Sequence, residues 1–262
     1  MSKLTRIAAA AIACAILLPA AGCAGRGAKG DTYVARDVNT LYALAKQRMD
    51  QRRYEQAAKL FDEVERQHPY SVWARRAQLM SAFSYYVAKS YPEAISSAQR
   101  FLTLHPGNKD APYAHYLIGM SYFEQMASVT RDQRITQQAA DAFGELMRRY
   151  PQSRYAADAR VKLDSINDHL AGKEMEVGRY YQRSGRWLAA TTRFRVVVDK
   201  YQTTNHTPEA LHRLVESYLA LGVPQEAQKA AAVLGRNYPG SEWYKRSFAL
   251  IQRQMPKTAV QG

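Results

Sequence analysis

Cysteine is nearly absent: the 262 residues hold two, Cys14 and Cys23. Cys14 lies in an uncharged run from Ile7 to Leu18, so a chain cut after that run keeps one thiol and can close no internal disulfide. Beyond Leu18 no apolar stretch approaches the roughly 20 residues that a membrane-spanning helix needs. Val and Ile are sparse beside Ala, which favours helix over sheet. Chemistry-bearing motifs are missing too. There is no Gly-rich phosphate loop, no Gly-x-Ser-x-Gly elbow and no carboxylate pair in a suggestive context. The six histidines are dispersed, and His115 and His169 have no partner at metal-ligand spacing. No catalytic residue, metal ligand or cofactor is nominated, and the expectation is a protein that is not an enzyme.

Acidic residues are also in deficit, 23 against 37 basic, a formal net charge of +14. The first residues bear on what that charge meets. Lys3 and Arg6 precede the Ile7–Leu18 run, which has the length of a signal-peptide core, and Ala20-Ala21-Gly22 then leads directly into Cys23. This order resembles a bacterial lipobox, although Ala20 stands where the pattern prefers Leu. Residues 1–22 are read as a lipoprotein signal peptide and Cys23 as the lipidated first residue of the mature chain. The covalent lipid on Cys23, a diacylglyceryl (palmitate-type) anchor, is the only non-protein group expected. Residue 24 is Ala, not the Asp that retains enterobacterial lipoproteins in the inner membrane, so the resemblance implies the outer membrane. Removing Lys3 and Arg6 from the formal +14 leaves +12. In an exported chain that excess points to anionic lipid or acidic partner surfaces, with no nucleic acid.

Turn-like segments recur at His68-Pro69-Tyr70-Ser71, His105-Pro106-Gly107-Asn108, Tyr150-Pro151-Gln152-Ser153, Tyr201-Gln202-Thr203-Thr204 and Tyr238-Pro239-Gly240-Ser241. Their second positions are 69, 106, 151, 202 and 239, and two of the intervals are 37 residues, close to a 34-residue helical repeat. Ser71, Asp110, Ser153, Thr207 and Ser241 are expected to cap the helices that follow. Before each turn, small and aromatic residues alternate in a fixed order. The fourth unit reads Gly178, Tyr181, Trp187, Ala190, Phe194, Val197; the first reads Leu41, Ala45, Tyr54, Ala57, Phe61, Val64. This is similar to the tetratricopeptide (TPR) pattern. Small residues let paired helices approach, aromatics fill the gap to the next hairpin, and proline stops the second helix. The expected fold is all-α, a TPR superhelical solenoid of about five helical hairpins over residues 37–252. A lipidated tether (23–36) precedes it and a tail (253–262) follows. The third unit carries a polar insertion around Val129–Ile135, and Tyr155–Leu170 reads as an incomplete or extended unit.

The lipobox, the five units and certain stretches together resemble the BamD family of lipoproteins of the outer-membrane β-barrel assembly (BAM) machinery. The stretches are His68-Pro69-Tyr70-Ser71-Val72-Trp73-Ala74, Ala82-Phe83-Ser84-Tyr85-Tyr86, Arg131-Asp132-Gln133 and Tyr180-Tyr181 with Gly185 and Trp187. The resemblance implies a scaffold on the periplasmic face of the outer membrane, assisting the folding and insertion of β-barrel proteins. It implies as partners a barrel-forming BamA-like subunit, other assembly lipoproteins, unfolded barrel substrates, and outer-membrane lipid through the acyl anchor. Arg193 matches a family arginine at the surface that docks the barrel-forming subunit. Tyr70, Trp73 and Tyr86 flank the first groove and are candidates to take substrate ends; packing between hairpins is the competing role. A TPR lipoprotein scaffold for pilus assembly or cell-envelope coordination is the alternative.

Overall fold

The computed structural model describes residues 36–254. Cys23, the signal segment and the last residues from 255 lie outside them. From Val38 on, the described residues form eleven helices and no strand. They pair as α1 (Val38–Asp50) with α2 (Tyr54–Gln67), α3 (Val72–Val87) with α4 (Tyr91–Leu104), and α5 (Ala111–Phe123) with α6 (Arg134–Arg149). The series continues with α7 (Arg154–Arg183) and α8 (Trp187–Lys200), then α9 (Thr207–Ala220) and α10 (Pro224–Asn237), and ends with α11 (Glu242–Gln254). Helices pack on their sequence neighbours, and the first helices of successive hairpins also touch: α1 with α3, α3 with α5, α5 with α7. α11 covers α9 and α10.

In four of the five hairpins a small and a large side chain face each other across the two helices, while the second buries Ala82 and Ala98 in one cluster. A Cβ on Gly119 of α5 would lie 2.6 Å from the Phe143 ring of α6, and one on Gly178 of α7 would lie 2.5 Å from the Phe194 ring of α8. The fifth hairpin inverts the pair: Val215 on α9 and Ala231 on α10 are buried in one cluster. The first holds Ala45 with Phe61. The helix B aromatic therefore sits on the small residue of its own hairpin, as well as reaching the next one as expected. Phe194 shares its cluster with Ala210 and Leu214 of α9.

The links obey two rules. Between helices of a hairpin, Arg52, Lys89, Gly185 and Gly222 take positive φ. The amide after each reaches back five residues, from Arg53 to Arg48 O, Ser90 to Tyr85 O, Arg186 to Tyr181 O and Val223 to Tyr218 O. This is a Schellman ending, in which glycine suits the left-handed residue. Between hairpins, His68, His105, Tyr150, Tyr201 and Tyr238 end the second helix, each donating its amide to the carbonyl four residues earlier. The Tyr150 hydroxyl donates to Pro106 O (3.4 Å) and that of Tyr238 to Gln202 O (3.3 Å), fastening one turn to the previous one.

The capping expectation holds for two of five residues. Ser71 Oγ accepts from the Ala74 amide (3.0 Å) and Ser241 Oγ from that of Tyr244 (3.1 Å). Asp110 and Ser153 precede their helices without a side-chain capping bond. At the second turn Asn108 Oδ1 accepts from the Asp110 amide instead. Thr207 lies inside α9, and its hydroxyl donates to Tyr201 O and Gln202 O, bracing the turn rather than the helix.

The segment Tyr155–Leu170 belongs to an extended unit: α7 runs unbroken for 30 residues, about 45 Å. Its interior has no proline, and Gly172 costs about 1 kcal/mol of helix propensity while making room for neighbours. A Cβ there would lie 3.3 Å from His206 Nε2 and 3.5 Å from Val129 Cγ1. The insertion of the third unit buttresses this long helix. Lys173 Nζ donates to Thr130 O (3.1 Å), and Gln133 Nε2 ties Ser128 O and Arg131 O together.

Gly178→Ala tests the volume trade. The helix gains about 1 kcal/mol of propensity, but overpacking against Phe194 costs about 1–3 kcal/mol, so urea denaturation should report a net loss. Adding Phe194→Leu should recover part of it.

Candidate docking surfaces

The first groove opens between α1, α3 and the start of α5. It encloses about 500 Å³ and is lined by Tyr42, Arg75, Arg76, Leu79, Met80 and the Asn108–Asp110 turn, with Phe101 at its floor. Arg75, Arg76 and Lys109 form no ion pair within the described residues and outnumber the one carboxylate of the lining, Asp110, so the groove carries a net positive charge over an apolar base. Burial raises the pKa of Tyr42 and the Arg76 charge opposes the rise.

The candidate aromatics divide among different places. Trp73 packs on Tyr42, ring centroids 4.5 Å apart, with the Arg76 guanidinium 5.6 Å from the Trp73 ring. That is packing between α1 and α3, directly beneath the groove. Tyr70 projects from the turn fully exposed. Tyr86 lies half-buried 13 positions beyond Trp73 on the same helix, some 20 Å along its axis, against Tyr91. The three do not form one cluster.

A second cavity, about 630 Å³, lies between α8, the end of α9 and the start of α10. Leu188, Val196, Leu221 and Val223 give it apolar walls, and Arg195, Asp199 and Glu226 stand at its margins. Leu188 is 72% exposed, a large apolar side chain left open to solvent. Arg193 lies on α8 but outside this lining. It turns towards α7, half-exposed, and pairs with Glu174 at 3.2 Å.

α7, α9 and α11 meet across a charge network that sequence reading missed. Arg179 grips Glu209 with two bonds of 2.9 and 2.7 Å, Arg213 reaches Glu209 and Glu216, and Gln182 donates to Glu216 (2.9 Å). The buried His212 ring joins Ser247 of α11 through Nδ1 at 2.8 Å and lies 3.4 Å from Glu216 through Nε2. Burial would raise the Glu216 pKa, but hydrogen bonds and positive charge from His212 and Arg213 overcome it and bring it down to about 2. The local part of the network was legible: Glu209, Arg213 and Glu216 stand at i, i+4 and i+7 on one helix. Its cross-helix part was not. Among the described residues no group of three His, Cys, Asp or Glu side chains could hold a metal ion.

Stacked helical hairpins, one basic groove, one apolar cavity and a self-paired polar network define a docking scaffold of the TPR class. A family model described as an outer membrane lipoprotein, YfiO, matches residues 34–234. A protein of Caulobacter vibrioides named outer membrane protein assembly factor BamD is 48% identical over 92% of this chain and 79% of its own. Rickettsia prowazekii has one of the same name, 40% identical over 95% of this chain and 98% of its own. So has Neisseria meningitidis serogroup A, at 35% over 86% and 89%. The chain belongs to this BamD (YfiO) family of outer membrane lipoproteins. Among solved structures, the TPR domain of P58(IPK) covers 83% of this chain and 65% of its own, at 14% identity and a TM-score of 0.43.

The charge network makes stability pH-dependent. The folded pKa of Glu216 is depressed, so its contribution is complete above about pH 4.5, the ordinary value, and is lost as pH falls towards about 2. Glu216→Gln should cost about 1–3 kcal/mol at pH 7. Urea denaturation at stepped pH should show the gap to the parent protein closing between those limits; a gap that stays constant would contradict the assignment.

Proposed function

We propose that this protein is a lipid-anchored, non-enzymatic scaffold subunit of the outer-membrane β-barrel assembly complex, assisting the folding and insertion of barrel proteins. Membership of the BamD family carries this reading. Cys23 holds the chain by its acyl groups to the periplasmic face of the outer membrane, where two or more chains make anchoring stable. The fourth and fifth hairpins dock the barrel-forming subunit. The apolar cavity of α8 and α10 supplies the area, since a hot spot is a desolvated pocket ringed by polar residues. Arg193 lies outside that cavity, turned towards α7; half-exposed and paired with Glu174, it can exchange that partner for a carboxylate of the docked subunit. The groove of the first three hairpins receives extended segments of unfolded barrel substrates. Arg75, Arg76 and Lys109 give that groove a field for a carboxylate, and Leu79 and Met80 give it an apolar bed.

Affinity purification from detergent-solubilised outer membranes tests the docking half. Leu188→Asp with Val196→Asp should reduce co-purification of the barrel-forming subunit at least tenfold, and Arg193→Glu should weaken it less. Arg75→Glu with Arg76→Glu should leave it unchanged. Undiminished recovery with the cavity variant would refute the assignment. Replacing residues 1–23 by an export signal that is cleaved without lipidation should move the protein from the membrane to the soluble periplasmic fraction.

A further inference from the structure

The fourth and fifth hairpins meet unlike the others. From α1 to α7, and again from α9 to α11, successive first helices pack closely on each other; α7 and α9 do not. Long polar side chains span them instead. Arg179 holds Glu209 with two bonds of 2.9 and 2.7 Å, and Gln182 donates to Glu216 (2.9 Å). At the turn before α9, His206 stands 3.7 Å from Asp168. Arg179 and Glu209 are 28% and 14% exposed, so salt screens this pair less than it screens a surface ion pair. Burial would raise the Glu209 pKa, but Arg179 and Arg213 hold it below the ordinary carboxylate value, so the bridge is charged.

The close contact at this joint is between α8 and α9. Phe194 and Val197 of α8 are buried with Ala210 and Leu214 of α9 in one apolar cluster. First helices form one face of the stack and second helices the other, so the polar bridges lie on one side of this contact and the 630 Å³ cavity on the other. Leu188 and Val196 of α8 form one wall of that cavity, and Leu221 and Val223, leading into α10, form the opposite wall. The α8–α9 contact is therefore a fulcrum. Turning the fifth hairpin about it so that α9 nears α7 carries α10 away from α8, and the reverse turn brings α10 in. Densely packed hairpins deform little within themselves, so motion at the joint is rotation of one packed body against another.

We infer that the Arg179–Glu209 and Gln182–Glu216 bridges are positioning contacts: by drawing α9 towards α7 they hold open, on the opposite face, the apolar cavity between α8 and α10. The inference rests on that cavity being where the barrel-forming subunit docks, and it names what sets the cavity's width. None of the four side chains lines the cavity, so their effect on docking passes through the fulcrum. Arg213 also bonds Glu209 and Glu216, but all three lie on α9, so it orients the carboxylates and spans no gap.

Spin-label distances by electron–electron double resonance test the lever. The chain from residue 24 on, without Cys23's predecessors or Cys23 itself, would need no cysteine removed, because Cys14 and Cys23 are the only two. Labels at the exposed Arg186→Cys and Gln225→Cys span the second helices, and labels at Arg183→Cys and Ala220→Cys span the first. Arg179→Glu sets two carboxylates against each other. It should lengthen the 183–220 distance and shorten the 186–225 distance, and adding Glu209→Arg should return both towards the parent values. Distances that stay fixed, or that change in the same sense, overturn the lever. Should the reversed charge unfold the hairpin, Arg179→Gln with Gln182→Leu removes both bridges without repulsion; it should give the same two shifts, smaller, and their absence overturns the inference. In the lipidated protein, Arg179→Glu should lower co-purification of the barrel-forming subunit about threefold or more, and the swapped pair should restore it. Undiminished recovery from a chain whose distances have shifted, or a loss that the swap leaves in place, overturns the link between the bridges and docking. If the parent chain itself recovers no barrel-forming subunit, the docking reading fails, while the two distances still decide the lever.

Discussion

The stack depends on one steric relation, the seating of a helix B side chain on a matching gap in helix A. Gly178 has no Cβ because the Phe194 ring occupies that space, and Gly119 yields to Phe143 in the same way. Where helix A carries Val215, helix B supplies Ala231. In four of the five hairpins one large side chain fills the space its small partner leaves, as expected of interiors packed as densely as organic crystals, and the second brings Ala82 and Ala98 together instead. That close approach fixes the two helices of each unit. The Schellman endings then set where the second helix of a hairpin begins, and the fastened turns set where the next unit begins. A hairpin alone would expose its stripe, so the stack is the smallest stable object.

The division of the surface follows from what is already satisfied. On the C-terminal hairpins, polar side chains of α7, α9 and α11 are paired with one another: Arg179 with Glu209, Arg213 with Glu216, His212 with Ser247. The face that remains unsatisfied there is apolar, around Leu188 and Val223. On the N-terminal hairpins the balance reverses. Among the described residues Arg75, Arg76 and Lys109 form no ion pair, and they outnumber the groove's Asp110 over a base of Leu79 and Met80. One end therefore suits a folded partner docked by burial, and the other suits a flexible segment drawn in by charge. Under the proposed function, a single lipid-anchored chain then holds a substrate segment and an insertion partner at once.

The repeat was legible because each structural position takes one kind of residue: small at 45, 82, 119 and 178, and proline after the second helix at 69, 106, 151 and 239. The 51-residue interval between the third and fourth turns was ambiguous, since an extended helix and an incomplete unit read alike until the insertion at Thr130 is seen bracing α7. Residue type also overstated capping. Asp110 and Ser153 have the right chemistry, but the side-chain bond was not made. The grooves were least legible, because Tyr42, Arg76 and Lys109 come from three hairpins and no local spacing connects them. Arg193 was visible as a cation, but its pairing with Glu174 follows from the length of α7.

Under the proposed function this stack of hairpins serves the insertion of barrel proteins. Depleting the protein from growing cells and measuring folded barrel proteins in the outer membrane, by their resistance to unfolding in cold detergent, tests it most directly. Folded barrels should fall as the protein is exhausted, while exported proteins without barrels keep their levels. Folded barrel proteins at undiminished levels after full depletion would contradict it.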